Sequence, residues 1–467
     1  MKKNICKSFA ICLTMGCCVF LQVQEEPLSP AFKESTIGEL STRLNDFYVE
    51  PDLALKVSEH LKKRFEAEHF NDCSNLKAFA ESLTTEVQSI SKDKHMLIRP
   101  VAQARQGRRE SSTAGFLERH RTQIARDREN AGGLKEVKIL DGNVGYLDIR
   151  SFAQLRVGRE YADGYMKLLS GSDAIIIDLR ENGGGYPEMV QYLCSYFFDE
   201  SVHLNSLYWR QGDRIQEFWS LEEVTGKKLP DVPLFVLVSG KTFSAAEEFA
   251  YNMQSQKRAA LVGQSTRGGA NPGRVMRLND KLEAIIPVGK AVNPITKTNW
   301  EGMGVVPDIK TSPEDTLEKA YELAKIAAQK YGADRVKSHE NLSAKLVGIL
   351  DSFDPETSEE SVYEILKECE EAGLLDQAMI NVIGYEYLMN FKQPKVAEAI
   401  FRANTLIYPE VANVFDSYAE ALSTNGKLNE AAQNYEKAVQ IAKSKNAPEQ
   451  KLFEENLEKI RDRIRGK

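Results

Sequence analysis

From Asn143 onward the chain alternates short apolar runs with longer runs whose apolar residues recur at helical spacing. This alternation constrains the fold more than any other feature. NVGYLDIRSF reads as a strand, LRVGREYADGYMKLL as a helix, DAIIIDLR as a strand and PEMVQYLCSYFF as a helix. PLFVLVS, SAAEEFAYNMQ and AALVG continue the series as strand, helix and strand. A strand that is apolar at successive positions is buried on both faces. Strands interleaved with helices therefore predict a parallel sheet covered by helices, an α/β core over residues 136–330. VMRLNDKLEAIIPVG reads as a hairpin turning at Asn279–Asp280, and DTLEKAYELAKIAAQK as a closing amphipathic helix.

The flanks differ in character. Residues 36–99 read as a helical subdomain on the spacing in LSTRLNDFYV, ALKVSEHLKKRF and LKAFAESLTTEV. Residues 100–135, with GRRESS and ARDRENAGG, read as a charged linker holding one short helix near Phe116. Residues 340–465 read as all-helical, with a repeat: Ala397 and Ala431 are 34 positions apart, as are Phe401 and Tyr435. That is the tetratricopeptide period. The first half of the earlier unit is out of register by one residue. About two such units are too few to stand alone, so they pack on flanking helices or on the preceding domain. Binding a peptide or protein partner and buttressing the core are both open to such a tail.

The first 24 residues, MKKNICKSFAICLTMGCCVFLQVQ, carry two lysines before an apolar stretch of signal-peptide length. The stretch is too short and interrupted for a bilayer span. Gly16 before Cys17 hints at lipoprotein processing, although Thr14 stands where a large aliphatic residue is usual. The expectation is an exported chain, periplasmic or extracellular, that meets a membrane only if lipid-anchored. A formal net charge of −7 gives no basic surface for nucleic acid. Cys73, Cys194 and Cys369 are widely spaced and suggest neither a disulfide framework nor a zinc site.

Two segments carry candidate chemistry. Ser244 opens a helix directly after an apolar strand, and Ser244–Ala245–Ala246–Glu247 fits the capping box S-x-x-E. The same junction presents a side chain at the carboxyl end of the sheet, where open α/β folds bind ligands. The Ala245 N–H there would face a developing oxyanion with the helix dipole behind it. Cap and nucleophile are both compatible with the spacing. In DLRENGGG, Gly183, Gly184 and Gly185 let bare backbone N–H groups approach an anion. The turn alone could also require them. Neither G-x-G-x-x-G, nor a P-loop, nor H-E-x-x-H is present, so no cofactor and no metal is expected.

Taken together, DLRENGGG, SGKTFSAAEEFAYNMQSQKRAALVGQSTRGGANPG and NPITKTNWEGMGVVPDI resemble the S41 serine peptidases, the tail-specific or C-terminal-processing family. The likeness runs from about Thr36 to Gln329. It is nearest the branch of the tricorn core protease and the interphotoreceptor retinoid-binding-protein modules, which lacks the PDZ insertion. The resemblance implies a peptidase core of crotonase-like or ClpP-like ββα units, a helical subdomain before it and the tetratricopeptide-like tail after it. It also implies Ser244 as nucleophile, with Ala245 N–H and Gly184 N–H as the oxyanion hole. The processing branch takes its base from a lysine in a TxGKG-like segment, but here that segment is TRGGA, and Arg267 cannot deprotonate. His95, in SKDKHMLI, resembles the D-x-H segment that carries the tricorn-branch base. Glu301 occupies the position of that branch's orienting glutamate, and Asp93 is a weaker alternative. The serine that precedes the tricorn-branch histidine is Lys94 here, which leaves open how Glu301 reaches His95. The resulting expectation is an exported serine endopeptidase acting on protein or peptide substrates, with a protein partner possible at the repeats. The alternative is a non-catalytic binding or adaptor protein on the same scaffold, for an apolar ligand or a protein partner.

Overall fold

The computed structural model describes residues 28–101 and 113–466, so the expected leader over 1–24 lies outside the described residues. The chain forms two compact units, Met1–Ala328 and Gln329–Lys467. Among the described residues of the first, the strands run in chain order: β1 (Leu97–Pro100), β2 (Leu134–Leu140), β3 (Val144–Ile149), β4 (Ala174–Asp178), β5 (His203–Trp209), β6 (Arg214–Trp219), β7 (Leu234–Val238), β8 (Ala260–Gly263), β9 (Gly273–Arg277), β10 (Leu282–Pro287), β11 (Gly289–Val292) and β12 (Ile309–Lys310). The helices of this unit are α1 (Pro30–Phe47), α2 (Pro51–Glu66), α3 (Leu76–Ser91), α4 (Thr113–Glu129), α5 (Leu155–Leu169), α6 (Pro187–Ser195), α7 (Ala245–Ser255) and the start of α8 (Thr316–Asp351).

The central sheet has the order β12-β8-β7-β4-β3-β2. It is parallel throughout except where β2 pairs antiparallel with β3. The apolar runs that predicted its strands are buried for the expected reason: β4 is buried at every position. On one face Val144, Tyr146, Ile176, Leu237 and Val262 pack against Ala320, Ala324 and Ala328 of α8. The small alanines let that helix lie close on the sheet. β4 and β7 end side by side, and the glycine turn and the Ser244 junction leave from those carboxyl ends.

The helical subdomain begins at Pro30, earlier than expected, because Ser29 caps α1 by accepting the Phe32 N–H at 3.2 Å. Its core is shared with a second sheet, β1-β10-β9: Leu40, Leu44, Leu61, Phe79 and Leu83 pack with Leu282, Ala284 and Ile286. The hairpin read at Asn279–Asp280 is β9–β10, turned by Asn279, whose side chain accepts from the Lys281 and Leu282 N–H groups.

Other parts differ from the sequence reading. The charged stretch contains α4, a helix of 17 residues rather than a short one, whose only buried residue among those described is Asp127. With no apolar stripe, it left no periodic signal. The strands β2 and β6 were not read as strands, because each exposes polar residues along much of its length, and β5, buried or half-buried throughout, was missed with its hairpin partner.

The second unit is helical. The end of α8 is followed by α9 (Glu359–Glu371), α10 (Gln377–Tyr385), α11 (Pro394–Ile407), α12 (Ala412–Thr424), α13 (Leu428–Lys445) and α14 (Gln450–Ile464). Gly384 is required by packing, since a Cβ there would lie 2.5 Å from the Phe401 ring. A π-helical turn, Glu386–Asn390, follows α10 directly. Such a turn takes up one extra residue.

Because Leu40 is fully buried in the core that carries β1 and β10, Leu40→Ala should lower stability by about 2–5 kcal/mol. A urea titration followed by circular dichroism would show this as an earlier midpoint with an unchanged slope.

Candidate active site

His95 is delivered by the way α3 stops. Lys92 takes a left-handed conformation (φ 57°) at the helix end. Asp93 then folds the chain over, with its Oδ1 accepting the His95 backbone N–H at 3.0 Å. β1 begins two residues later. Ser244 is delivered from the other side of the unit. After β7, Thr242 donates its hydroxyl to Leu179 O and the Phe243 N–H donates to Asn182 O, which ties the segment to the glycine turn. Ser244 itself has φ 58° and ψ −123°, and α7 starts at the next residue. An ordinary N-cap lies in the β region. A non-glycine residue held at positive φ is strained by about 1–3 kcal/mol, a feature that clusters at functional sites. Glu247 reaches back to the Ser244 N–H at 2.8 Å, the glutamate half of the capping box.

The structure brings the two residues together: His95 Nε2 lies 3.1 Å from Ser244 Oγ. The imidazole rests on the Phe243 ring, centroids 4.4 Å apart, and the Arg267 guanidinium covers that ring at 4.7 Å. Gly269 closes the other side. A Cβ there would stand 2.3 Å from Phe243 Cε2 and 2.7 Å from His95 Cε1, so a longer side chain at this place, a lysine included, cannot share the space with the histidine. Lys94 points away from the ring and donates its Nζ to the Arg267 carbonyl.

Glu301 is also in place. Its Oε2 accepts the Ala270 N–H at 2.6 Å, while Oε1 is buried without a partner, as is Nδ1 of His95. One donor atom each from Asp93, His95 and Glu301 lies within 4.8 Å of the other two. Asp93 does not orient the ring: it accepts the His95 backbone N–H, Asn271 Nδ2 at 2.8 Å and the Tyr48 hydroxyl at 3.4 Å. This trio is the one set among the described residues with donors converging as for a metal ion. Asp93 is already hydrogen-bonded through both oxygens.

The electrostatics follow from burial. Desolvation, reinforced by the Arg267 charge, pulls the His95 imidazole down to about 4, so it is neutral at neutral pH. Burial raises both Asp93 and Glu301, each repelling a neighbouring carboxylate. N–H donors oppose the rise, Asn271 and His95 at Asp93 and Ala270 at Glu301.

Gly184 packs beneath the serine: a Cβ there would come 2.9 Å from Ser244 Cβ and 3.1 Å from the Ala245 nitrogen. Only glycine allows that approach, and at φ +104° only glycine adopts the backbone easily. Its N–H donates to Asn182 Oδ1 at 2.8 Å. Asn182, fully buried, was not singled out from the sequence, nor was Thr266. Glu247 was read only as a capping residue.

The fold and this geometry define a class: an α/β core with a serine and a histidine in contact at the carboxyl end of a parallel sheet. Residues 143–311 match the model of peptidase family S41, and residues 31–126 match the N-terminal domain of peptidase S41 in eukaryotic IRBP. The chain carries a peptidase family S41 domain preceded by an S41 N-terminal domain. It is 28% identical over 172 residues to the chloroplastic carboxyl-terminal-processing peptidase 1 of Arabidopsis thaliana, covering 37% of this chain and 34% of that protein. It is 32% identical over 138 residues to a carboxyl-terminal-processing protease of Picosynechococcus sp., covering 30% of this chain and 32% of that protein. The chain thus spans about a third of the length of these relatives. Among solved structures, the tricorn protease aligns with a TM-score of 0.39 and 12% identity, over 64% of this chain and 37% of that one.

Removing the Arg267 cation should raise the His95 pKa from about 4 toward the ordinary value of about 6.5. An NMR titration of the imidazole in Arg267→Ala checks the direction: the midpoint moves up, never down.

Proposed function

We propose that this chain is a serine peptidase that forms an acyl-enzyme on Ser244, with His95 as general base. The observation that carries the reading is the 3.1 Å contact between His95 Nε2 and Ser244 Oγ, at a serine held in strained backbone geometry. Ser244 Oγ attacks the carbonyl carbon of the scissile peptide bond while His95 Nε2 takes its proton. The oxyanion is met by the Ala245 N–H at the start of α7 and by the Gly184 N–H, which exchanges Asn182 Oδ1 for the substrate oxygen. Collapse of the tetrahedral species breaks the C–N bond, and His95 returns the proton to the leaving amine. Water then enters by the same base and frees the acid product.

For Nε2 to accept from the serine, the neutral ring carries its proton on Nδ1, a tautomer inferred from the partners. The acceptor for that proton is Glu301 Oε1, reached through a water or by closure on substrate. As imidazolium forms, the Glu301 carboxyl beside it stabilises the charge. The substrate is a protein or peptide, as the names of the processing-protease relatives suggest. The 1–24 segment directs export, to the periplasm or the exterior. We extend the proposal to the tail, whose tetratricopeptide-like repeats take a peptide or protein partner. A 390 Å³ cavity there, lined in part by Val411, Ala412, Ile441 and Phe453, offers apolar contact. Among the described residues no helix is long and apolar enough to cross a membrane.

A fluorophosphonate should label Ser244 stoichiometrically, located by peptide mass mapping, and Ser244→Ala should remove both label and hydrolysis. His95→Ala should slow labelling by about 10²–10⁴-fold. An unlabelled, folded wild-type chain would return the protein to the binding-scaffold reading. The pH profile is a separate check. Protonating the base stops the reaction, so with His95 held at about 4 the acid limb of kcat/KM should lie well below neutrality. A limb near 6.5, in peptide hydrolysis followed by fluorescence, would mean that the base titrates at the ordinary imidazole value and that burial and Arg267 do not lower His95 as described.

A further inference from the structure

The geometry points to Glu247 as the residue that positions both halves of the site, a role that rests on Ser244 and His95 being nucleophile and base. Glu247 is fully buried in the first turn of α7. Its carboxylate accepts four hydrogen bonds. Oε2 takes the Ser244 N–H at 2.8 Å and the Gly269 N–H at 2.9 Å, while Oε1 takes the Gly268 N–H at 2.6 Å and the Thr266 hydroxyl at 2.5 Å. An ordinary capping box explains only the first of these. The other three come from the TRGG loop, nineteen to twenty-two positions along the chain.

All four partners are donors. Thr266 Oγ1 already accepts the Val305 N–H at 2.7 Å, so its own proton is free for Glu247. Burial pushes the Glu247 carboxyl up, and the Thr266, Gly268, Gly269 and Ser244 donors oppose that rise by favouring the ionised form. A buried charge with this many short hydrogen bonds is stiff.

The clasp has two consequences at the site. It fixes the N–H of Ser244 on one side of a strained residue, so the backbone cannot relax without losing a bond to a buried charge. It also fixes Gly269, whose Cα packs against the His95 and Phe243 rings. One carboxylate therefore sets the position of the serine backbone and the wall of the histidine pocket together. Their separation is controlled by a residue that touches neither reacting atom.

Glutamine tests this, because it offers one oxygen and one NH2 group in the same volume. However Glu247→Gln turns, two of the four donors face an N–H. We expect E247Q to fold, to lose at least about 100-fold in kcat with KM within about threefold, and to be labelled at Ser244 by a fluorophosphonate more slowly by a similar factor. A folded E247Q with kcat within about threefold of wild type, or one in which only KM rises, overturns the inference. Should E247Q fail to fold, Thr266→Val removes one donor to the clasp. It should lower kcat about tenfold with KM unchanged, and Thr266→Ser should restore it. Folded T266V with full kcat overturns the inference equally. If wild type is not labelled at Ser244, the nucleophile assignment fails; if wild type and E247Q are labelled equally fast, only the role of Glu247 fails.

Discussion

Ser244 sits at a backbone conformation that an L-residue does not choose, and much of the surrounding structure serves to hold it there. The sheet brings β4 and β7 to end side by side. The turn after β4 then supplies Asn182 and Gly184, and the turn after β7 supplies the serine. Gly184 is small enough to lie under the serine Cβ. Phe243 is tied to Asn182, and Thr242 to Leu179. Strain at one residue is affordable only where neighbouring contacts over-determine it, and here they come from two strand ends and one loop.

The histidine arrives on a different part of the fold, and its chemistry is set by what surrounds it. Burial and the Arg267 cation favour the neutral ring, while two nearby buried carboxylates are themselves held above their ordinary range. This separates the tasks of similar groups by environment. Asp93 uses its oxygens on the backbone and on Asn271 and Tyr48, and so fixes where the histidine main chain runs. Glu301 keeps an oxygen unpartnered, as does the far nitrogen of the ring. Gly269 explains why a lysine is absent: the ring occupies the volume that a side chain at that position would need.

Sequence reading recovered most of the parallel strands because their burial on both faces leaves continuous apolar runs. It recovered the β9–β10 turn because Asn279 caps it locally. It did not recover β6 or the length of α4, whose residues are largely solvent-facing and show no matching period, nor β5, the hairpin partner of β6. At the site, the S-x-x-E spacing was legible, but it exposed only one of the four bonds Glu247 makes. Asn182 and Thr266 left no signal, since a buried polar residue in a loop is recognised only by its partners.

The sequence by itself determined the alternation of strands and helices, the placement of Ser244 at a strand-to-helix junction and of His95 at a helix end, and the glycine-rich turns beside them. These depend on local periodicity and local backbone preference, which are written in neighbouring residues. Only the tertiary structure decided that residues 149 positions apart meet at hydrogen-bonding distance. That meeting depends on the shared core of the helical subdomain and β10, and on a buried carboxylate gathering four donors from two segments. Such contacts arise from packing across the fold, where the energy depends on position in space and not on position in the chain.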